Sequence, residues 1–404
     1  MPSIAAFSQW LAKYLLDLGS GVLSAPQQRH LHLCVLALIL LPTRRTLTNQ
    51  VSLFGYGRAE SSLKRFLTHA PWDTAALRAR QQERLLALLQ RQPAHEPIEL
   101  IVDDTATAKY GRSMQGLSRH YCDGKVRWGH CKVTVFVCCG DVKVPWDFRL
   151  YRTKTTCEAQ QDPFASKLAL ARQMLDGFTP PDGRTVRVLF DSFYMSKDMV
   201  KYVCQTRQWD LVARIESNRH VTYRGRSQKV AALAQSRRRS AWEPVTWPTR
   251  EYLACQLKVK LWHGVPGTLT MTCDPDQPDQ VHYLVTNRRD LWAGGVLRLY
   301  QHRWAIETYH RDAKQLLGLA HYQLRSQVGL QRHWLLVDLA YCVLRLHTCT
   351  AAAASAPASE AMTLGHLRQR AQKQAERDKL GQLMQLYERT KDVQAVYQAA
   401  GCAA

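Results

Sequence analysis

Residues 98–105 read Ile-Glu-Leu-Ile-Val-Asp-Asp-Thr, a mostly apolar run followed at once by two acids and a threonine. A run of this length predicts a buried strand over residues 98–102. The further elements predicted downstream are strands at 132–139 and 142–151, a helix at 164–175, a strand at 186–190, a helix at 196–207 and a strand at 211–215. Gly140-Asp141 joins the second and third strands and is a hairpin signal. This order predicts a mixed α/β sheet covered by helices on both faces.

Acids follow two of these buried strands. Asp103 and Asp104 follow the first, and strand alternation places them on opposite faces, so only one of the pair can point into a shared site. Asp191 follows the strand at 186–190, and the helix after it gives Asp191 an alternative role as a helix N-cap.

A third group of polar residues lies on a helix predicted over 295–317. Tyr300, Arg303, Glu307 and Lys314 stand at offsets that fall within one narrow stripe of an α-helix at about 100° per residue. An ion pair between Arg303 and Glu307 on a solvated face would give the same pattern. The residues predicted to form the core face of this helix are Leu299, Trp304, Ile306, Leu316 and Leu317.

The spacing Tyr-x2-Arg-x3-Glu-x6-Lys, read from Tyr300 to Lys314, resembles the Y-R-E-K signature of bacterial insertion-sequence DDE transposases. The resemblance covers residues 98–326 and implies an RNase H-like catalytic domain of the hairpin-type, cut-and-paste group. It implies that Asp104, Asp191 and Glu307 are the catalytic residues and the ligands of two Mg²⁺ ions, with Mn²⁺ as a substitute. Asp104 is favoured because it directly precedes Thr105, and Asp103 is the alternative. Tyr300, Arg303 and Lys314 would grip DNA phosphates.

The same resemblance implies a β-rich insertion between the second aspartate and the glutamate. Aromatic faces can hold unstacked bases, and the candidates are Trp242, Trp247, Trp262 and Trp292. Four arginines in or next to the insertion are expected to meet phosphate, namely Arg237, Arg238, Arg288 and Arg289. Individually, each tryptophan is more often a core anchor and each arginine more often a solvated charge. Asp191 is followed by Ser192-Phe193-Tyr194 rather than by charged residues, so a hairpin intermediate stays open.

The predicted layout has five regions. They are a helical DNA-binding domain at 1–95, the first part of the core at 96–216, the insertion at 217–290, the second part of the core at 291–350 and a helical C-terminal region at 351–404. In the first region, helical stretches flank Gly55-Tyr56-Gly57, and the second carries Lys64 and Arg65. This pattern is typical of a helix-turn-helix and equally of an ordinary helical hairpin.

Composition agrees with a nucleic-acid partner. The chain has 55 Lys and Arg against 33 Asp and Glu, a net charge of +22, which favours an anionic polymer. No cysteine pair has zinc-site spacing, and no membrane span or secretion signal is predicted. We expect a cytoplasmic, nucleoid-associated bacterial transposase. It would act as a homodimer on double-stranded DNA, bind the inverted-repeat ends of an insertion sequence, cleave them and join the 3′ ends to target DNA. The alternatives are a non-transposing RNase H-like nuclease and an inactive, domesticated DNA-binding protein.

Overall fold

A computed structural model of the chain describes residues 5–53, 59–111, 113–122, 124–352 and 362–400. Within them, a sheet of twelve strands contains both parallel and antiparallel pairs and is accompanied by fourteen α-helices. The predicted mixed α/β class is therefore confirmed. The chain divides into two compact units, the first of Met1–Leu85, Thr107–His130 and Tyr309–Ala404, and the second of Leu86–Ala106 and Cys131–Thr308.

The strands are β1 Ile98–Ala108, β2 Ser118–Cys122, β3 Lys125–Cys139, β4 Val142–Tyr151, β5 Val186–Phe190, β6 Asp210–Arg214, β7 His220–Tyr223, β8 Arg226–Lys229, β9 Glu243–Thr246, β10 Glu251–Lys260, β11 Pro266–Asp274 and β12 Gln277–Thr286. The α-helices are α1 Ala5–Gly19, α2 Ala25–Leu40, α3 Leu47–Leu53, α4 Ala59–Thr68, α5 Thr74–Gln90, α6 Lys154–Ala159, α7 Lys167–Asp176, α8 Lys197–Lys201, α9 Val230–Gln235, α10 Ala293–Gln301, α11 Trp304–Leu316, α12 Gln327–Ala352, α13 Leu364–Thr390 and α14 Val393–Ala400.

The centre of the second unit is a run of parallel strands, β1–β5–β6. Val102 pairs with Phe190 at the end of β1–β5, and Phe190 pairs with Ala213 in β6. All five residues of β5 are buried, as expected where helices cover both faces of a parallel sheet. Because Val102 and Phe190 are partners, the residues that follow them, Asp103 and Asp191, are neighbours where β5 ends, whereas β1 continues beyond the predicted residue 102 to Ala108.

The hairpin between β3 and β4 is present where the sequence predicted it. Cys139 pairs with Val142, and Gly140 adopts a positive φ of 53°, a conformation in which a side chain would be strained. Residues 210–290 contain the antiparallel strands β10, β11 and β12, and Leu284 of β12 pairs with Arg214 of β6. The short strands β7, β8 and β9 were not predicted, because four mostly polar residues carry no alternating apolar pattern.

The helix predicted over 295–317 is wrong as one continuous element. It is interrupted at His302 and Arg303, where backbone N–H groups bond three residues back instead of four, from His302 to Leu299 and from Arg303 to Tyr300. His302 Nδ1 also lies 2.8 Å from Glu99 Oε2, which holds the break against β1. The predicted core face is also wrong at Trp304, which is 58% exposed, whereas Ile306 is fully buried.

The first unit packs α2, α4 and α12 around a shared core. Arg332 of α12 is nearly buried, and its guanidinium donates to the backbone carbonyls of Phe66, Leu67, Ala70 and Trp72, which satisfies the exposed end of α4. Helices α3 and α4 flank the predicted glycine turn Gly55-Tyr56-Gly57, which lies outside the described residues, as do residues 353–361 of the predicted small-residue linker at 351–359. Among the described helices none is long and apolar enough to cross a membrane.

Candidate active site

Asp103, within β1, and Asp191, directly after β5, form the edge of the candidate site. Asp103 Oδ1 accepts a hydrogen bond from the Asp104 backbone N–H at 2.8 Å. Asp191 Oδ1 accepts from the N–H groups of Phe193 and Tyr194, at 3.0 and 3.4 Å, and thereby orders the turn after β5. The N-cap of the following helix α8 is Ser196, not Asp191, so the alternative role considered for Asp191 is filled by another residue.

Arg303 lies among the carboxylates. Its Nη1 is 3.6 Å from Asp103 Oδ2, and its Nη2 donates to Glu307 Oε1. Its charge also acts on Asp191, where it opposes the effect of burial on the pKa of that carboxyl. The Tyr300 ring lies 5.6 Å from the guanidinium carbon. Arg303 therefore pairs with two carboxylates from segments far apart in the chain, and its charge influences a third, that of Asp191.

Burial raises the pKa of Asp103 to about 7, and the neighbouring charges of Asp104 and Asp191 add to this increase. Burial likewise raises the pKa of Asp191. Buried carboxylates that destabilise one another in their charged form are stabilised by a bound cation, and oxygen-only ligands suit a hard divalent ion. The chemistry of Asp103, Asp191 and Glu307 therefore fits Mg²⁺. As the described side chains stand, no three His, Cys, Asp or Glu residues are close enough to hold one ion, and Arg303 supplies the positive charge.

Asp104 faces a different set of partners. Lys167 Nζ lies 2.6 Å from Asp104 Oδ2, the Tyr194 hydroxyl donates to Oδ1 at 2.9 Å, and Cys131 Sγ donates to Oδ2 at 3.3 Å. Burial, reinforced by the charge of Asp104, raises the pKa of both Tyr194 and Cys131, which keeps them protonated as donors. The sequence analysis assigned no role in the site to Lys167 or Tyr194. Nothing in the sequence distinguishes Lys167 from any other polar residue of an amphipathic helix.

The four candidate stacking tryptophans differ in exposure. Trp292 is 55% exposed, and the Arg298 guanidinium lies 5.5 Å from its ring. Trp242, Trp247 and Trp262 are half-buried, and the Trp247 ring packs 5.9 Å from Tyr252. Exposure alone favours Trp292 as the most accessible ring of the four.

The predicted phosphate-binding arginines of the second unit also differ in exposure and in their partners. Arg238 and Arg289 are exposed, whereas Arg237 lies over the Tyr223 ring at 5.4 Å. Arg288 Nη1 lies 3.0 Å from Asp210 Oδ2, and Arg288 also pairs with Asp290. The hydrogen bonds to these two carboxylates raise the pKa of the Arg288 guanidinium above its usual value, and the bond to Asp290 has the larger effect.

The remaining predicted DNA contacts belong to the first unit. Lys64 and Arg65 are exposed on α4, and Lys314 is half-buried in the last turn of α11.

Comparison with known proteins gives one family. No curated protein matches the chain. A family model described as DDE superfamily endonuclease matches residues 18–254, more than half of the chain, and this range contains Asp103, Asp104 and Asp191. The chain therefore belongs to the DDE superfamily endonucleases.

Proposed function

We propose that this protein is a transposase of the Y-R-E-K group that binds the inverted-repeat ends of an insertion sequence, cleaves them and joins the 3′ ends to target DNA. The family supports a nuclease. The observation that carries the proposal is that Arg303 pairs with both Asp103 and Glu307 and that its charge also acts on Asp191. These are carboxylates from three distant segments, and a two-metal phosphoryl-transfer site would use such a set. In this proposal residues 96–216 and 291–350 form an RNase H-like core, and residues 217–290 form a β-rich insertion.

The first acid of the site is Asp103, the alternative that the sequence left open, rather than Asp104. Asp103 shares its surroundings with Arg303 and with Asp191. Both oxygens of Asp104 are already engaged by Lys167, Tyr194 and Cys131. A carboxylate with that many structural partners is a positioning group, which anchors α7 and the turn after β5.

The residues that would hold the metal are Asp103, Asp191 and Glu307. Two bound Mg²⁺ ions, or Mn²⁺, supply stabilisation of the attacking and leaving oxygens of an in-line displacement at phosphorus. Arg303 exchanges its carboxylate partners for a DNA phosphate, to which a guanidinium donates two parallel hydrogen bonds. Tyr300, beside Arg303, donates a further hydrogen bond to the same strand. Joining two ends in one event makes a homodimer on double-stranded DNA the working form, in the cytoplasm at the nucleoid.

The test is incubation of purified protein with Mg²⁺ or Mn²⁺ and DNA that carries the element's two ends. Wild type should release the element and join it to a target plasmid. Asp103→Asn, Asp191→Asn and Glu307→Gln should each bind DNA normally and lose about 10³-fold or more in cleavage, the several kcal/mol that metal-assisted charge stabilisation contributes. Asp104→Asn is the matched neighbour and should keep measurable cleavage.

Three outcomes would count against parts of the proposal. Full cleavage by Asp103→Asn together with none by Asp104→Asn returns the first acid to Asp104. Cleavage without joining favours the non-transposing nuclease. Binding without any cleavage by wild type favours the domesticated DNA-binding protein.

A further inference from the structure

A groove in the second unit is lined mostly by positive and neutral polar groups, together with the apolar side chains of Val221, Leu261 and Trp262. It encloses about 570 Å³, and no acidic side chain is among the residues that line it. Lys197, Arg219 and Lys260 contribute three exposed cations. The hydroxyls of Thr222 and Ser227 add hydrogen-bonding groups between the cations. A cleft lined by charges of one sign concentrates the field and attracts a ligand of the opposite sign.

Ordered backbone holds one wall of this basic groove. Lys260 of β10 pairs with Thr222 of β7, so both stand at a fixed register. After β10 the chain turns at His263 and Gly264, with φ values of +56° and +72°. The Gln205 side-chain amide donates to the His263 carbonyl at 3.0 Å. A non-glycine residue in the left-handed region persists only where its surroundings hold it, and such residues cluster at binding sites.

The other wall is anchored beside the candidate active site. The Arg219 N–H donates to the Glu216 carbonyl at 3.0 Å, and the Arg219 carbonyl accepts from the Val230 N–H at 2.8 Å. The Ser192 hydroxyl, which directly follows Asp191, hydrogen-bonds to the Glu216 carboxylate. The loop that carries Arg219 is thus tied to the turn at the end of β5.

We propose that the basic groove binds the phosphodiester backbone of the DNA substrate, with Lys197, Arg219 and Lys260 as the phosphate contacts. The inference rests on the proposed function for the identity of the polymer. Phosphate oxygens accept hydrogen bonds from ammonium, guanidinium and hydroxyl groups, and no carboxylate in the lining repels them. The Ser192–Glu216 link places the cations on a loop that is continuous with the active-site turn, so that a strand held in the groove stays registered with the acids.

The test is DNA binding in EDTA, where no cleavage occurs. Lys197→Gln, Arg219→Gln and Lys260→Gln are combined in one groove triple. The control triple combines Lys13→Gln, Lys125→Gln and Lys143→Gln, which remove the same charge from exposed sites outside the groove. Fluorescence anisotropy with a labelled duplex carrying an element end gives Kd at several salt concentrations. The groove triple should bind about tenfold or more weakly than the control triple. Its slope of log Kd against log salt should fall by roughly 2 to 3, about 0.9 for each phosphate that the protein no longer neutralises.

Equal Kd values and equal salt slopes for the two triples would overturn the proposal. Inorganic phosphate, compared with potassium chloride at equal ionic strength, distinguishes the DNA backbone from a free phosphate ion. If phosphate displaces DNA from wild type more strongly than chloride does, and not from the groove triple, phosphate and the DNA backbone compete for the same cations, as the proposal requires. If phosphate binds wild type and not the groove triple while the two triples bind DNA equally, the groove is a free-anion site and the DNA assignment is wrong. A wild type that binds through the groove and never cleaves would refute the proposed function and leave the groove standing.

Discussion

At the scale of single residues, the central contrast is between two adjacent acids. Alternation along β1 turns the side chains of Asp103 and Asp104 to opposite faces of one strand. Asp103 meets Arg303, while Asp104 meets Lys167 and Tyr194. Two residues of one type, next to each other in the chain, therefore have different partners, and the separate tasks that we propose for them rest on those partners.

Substitution of Lys167 tests the positioning role that we propose for Asp104. The Lys167 and Asp104 side chains are 21% and 18% exposed, and Lys167→Gln would remove the ammonium that lies 2.6 Å from Asp104 Oδ2. We expect the free energy of unfolding to fall by about 2 kcal/mol, because a partly buried charge loses its compensation. Lys154→Gln is the matched control. Its ion pair with Glu158 is 72% and 63% exposed, so its loss should cost ~0.5 kcal/mol or less. Urea unfolding measures both, and equal losses would remove the structural role assigned to Asp104.

At the scale of elements, β1, β5 and the break between α10 and α11 meet at Glu99. Glu99 and Arg187 are directly opposite each other in the parallel register and pair at 2.8 Å, with side chains only 6% and 8% exposed. His302 at the helix break binds the second oxygen of Glu99. This buried network fixes where α11 begins, and so where Arg303 and Glu307 lie relative to the sheet.

A double-mutant cycle measures the coupling free energy between Glu99 and Arg187. Glu99→Leu alone should lower the free energy of unfolding by about 3 to 5 kcal/mol, because the buried Arg187 loses its nearest carboxylate. Glu99→Leu with Arg187→Met should recover most of that loss, since an apolar pair of similar volume needs no compensation. Chemical denaturation of the two single variants and the double variant gives the coupling free energy. Additive losses would show that the two side chains do not act as a pair.

The elements that sequence reasoning found are those whose signal is local. Strand β5 and the first five residues of β1 are short, mostly apolar runs, and the turn at Gly140 has a conformation that glycine tolerates best. The polar second half of β1 was not predicted as strand. The break at His302 could not be predicted in the same way. Its sequence is compatible with one helix, and the contact that interrupts it comes from Glu99, about two hundred residues earlier.

The residues of the candidate site show the same difference between local sequence signals and contacts with distant segments. The sequence named Arg303, Glu307 and Asp191, and the structure places Arg303 beside the acids. Neither Lys167 nor Tyr194 was found, because each acquires its role only through contact with Asp104 in the folded chain. The choice between Asp103 and Asp104 likewise depended on partners from other segments.

At the scale of the whole molecule, charge is the dominant property. A net charge of +22 opposes compact folding, and two histidines, the buried His130 and the half-buried His321, limit how much further that charge rises in the folded state. Burial lowers the pKa of His130 to about 4, and the same effect, with the charges of Arg45, Arg44 and Lys109, lowers that of His321 to about 4. Both histidines are thus neutral in the fold at pH values where the unfolded chain would protonate them.

The consequence is a loss of stability in mild acid. A histidine with a folded pKa of about 4 and an unfolded value near 6.5 contributes its full stability above pH 6.5 and loses it as the pH falls towards 4. For each such histidine the free energy of unfolding should drop by about 1.4 kcal/mol per pH unit across that window. Asp103 acts in the opposite sense, because its folded pKa of about 7 makes stability fall as the pH rises from 3.8. The histidine contribution must therefore be isolated by substitution.

Two variants isolate the contribution of the histidines to the pH dependence of stability. In the fold, His130 Nε2 donates to the Gln115 carbonyl at 2.9 Å and Nδ1 accepts from the Tyr322 hydroxyl at 2.8 Å, and His321 Nδ1 accepts from a backbone N–H. His130→Gln and His321→Asn keep a polar group in place but cannot titrate, so each should flatten the dependence of unfolding free energy on pH between 6.5 and 4 by about 1.4 kcal/mol per unit. His95→Asn, at a side chain that is 82% exposed, should leave the slope of wild type unchanged. The slope, measured by urea unfolding at each pH, is independent of any constant loss of stability that a substitution causes. If both buried-site variants keep the wild-type slope, these histidines take up protons in the fold as readily as in the unfolded chain, and acid sensitivity has to be attributed to the net charge alone.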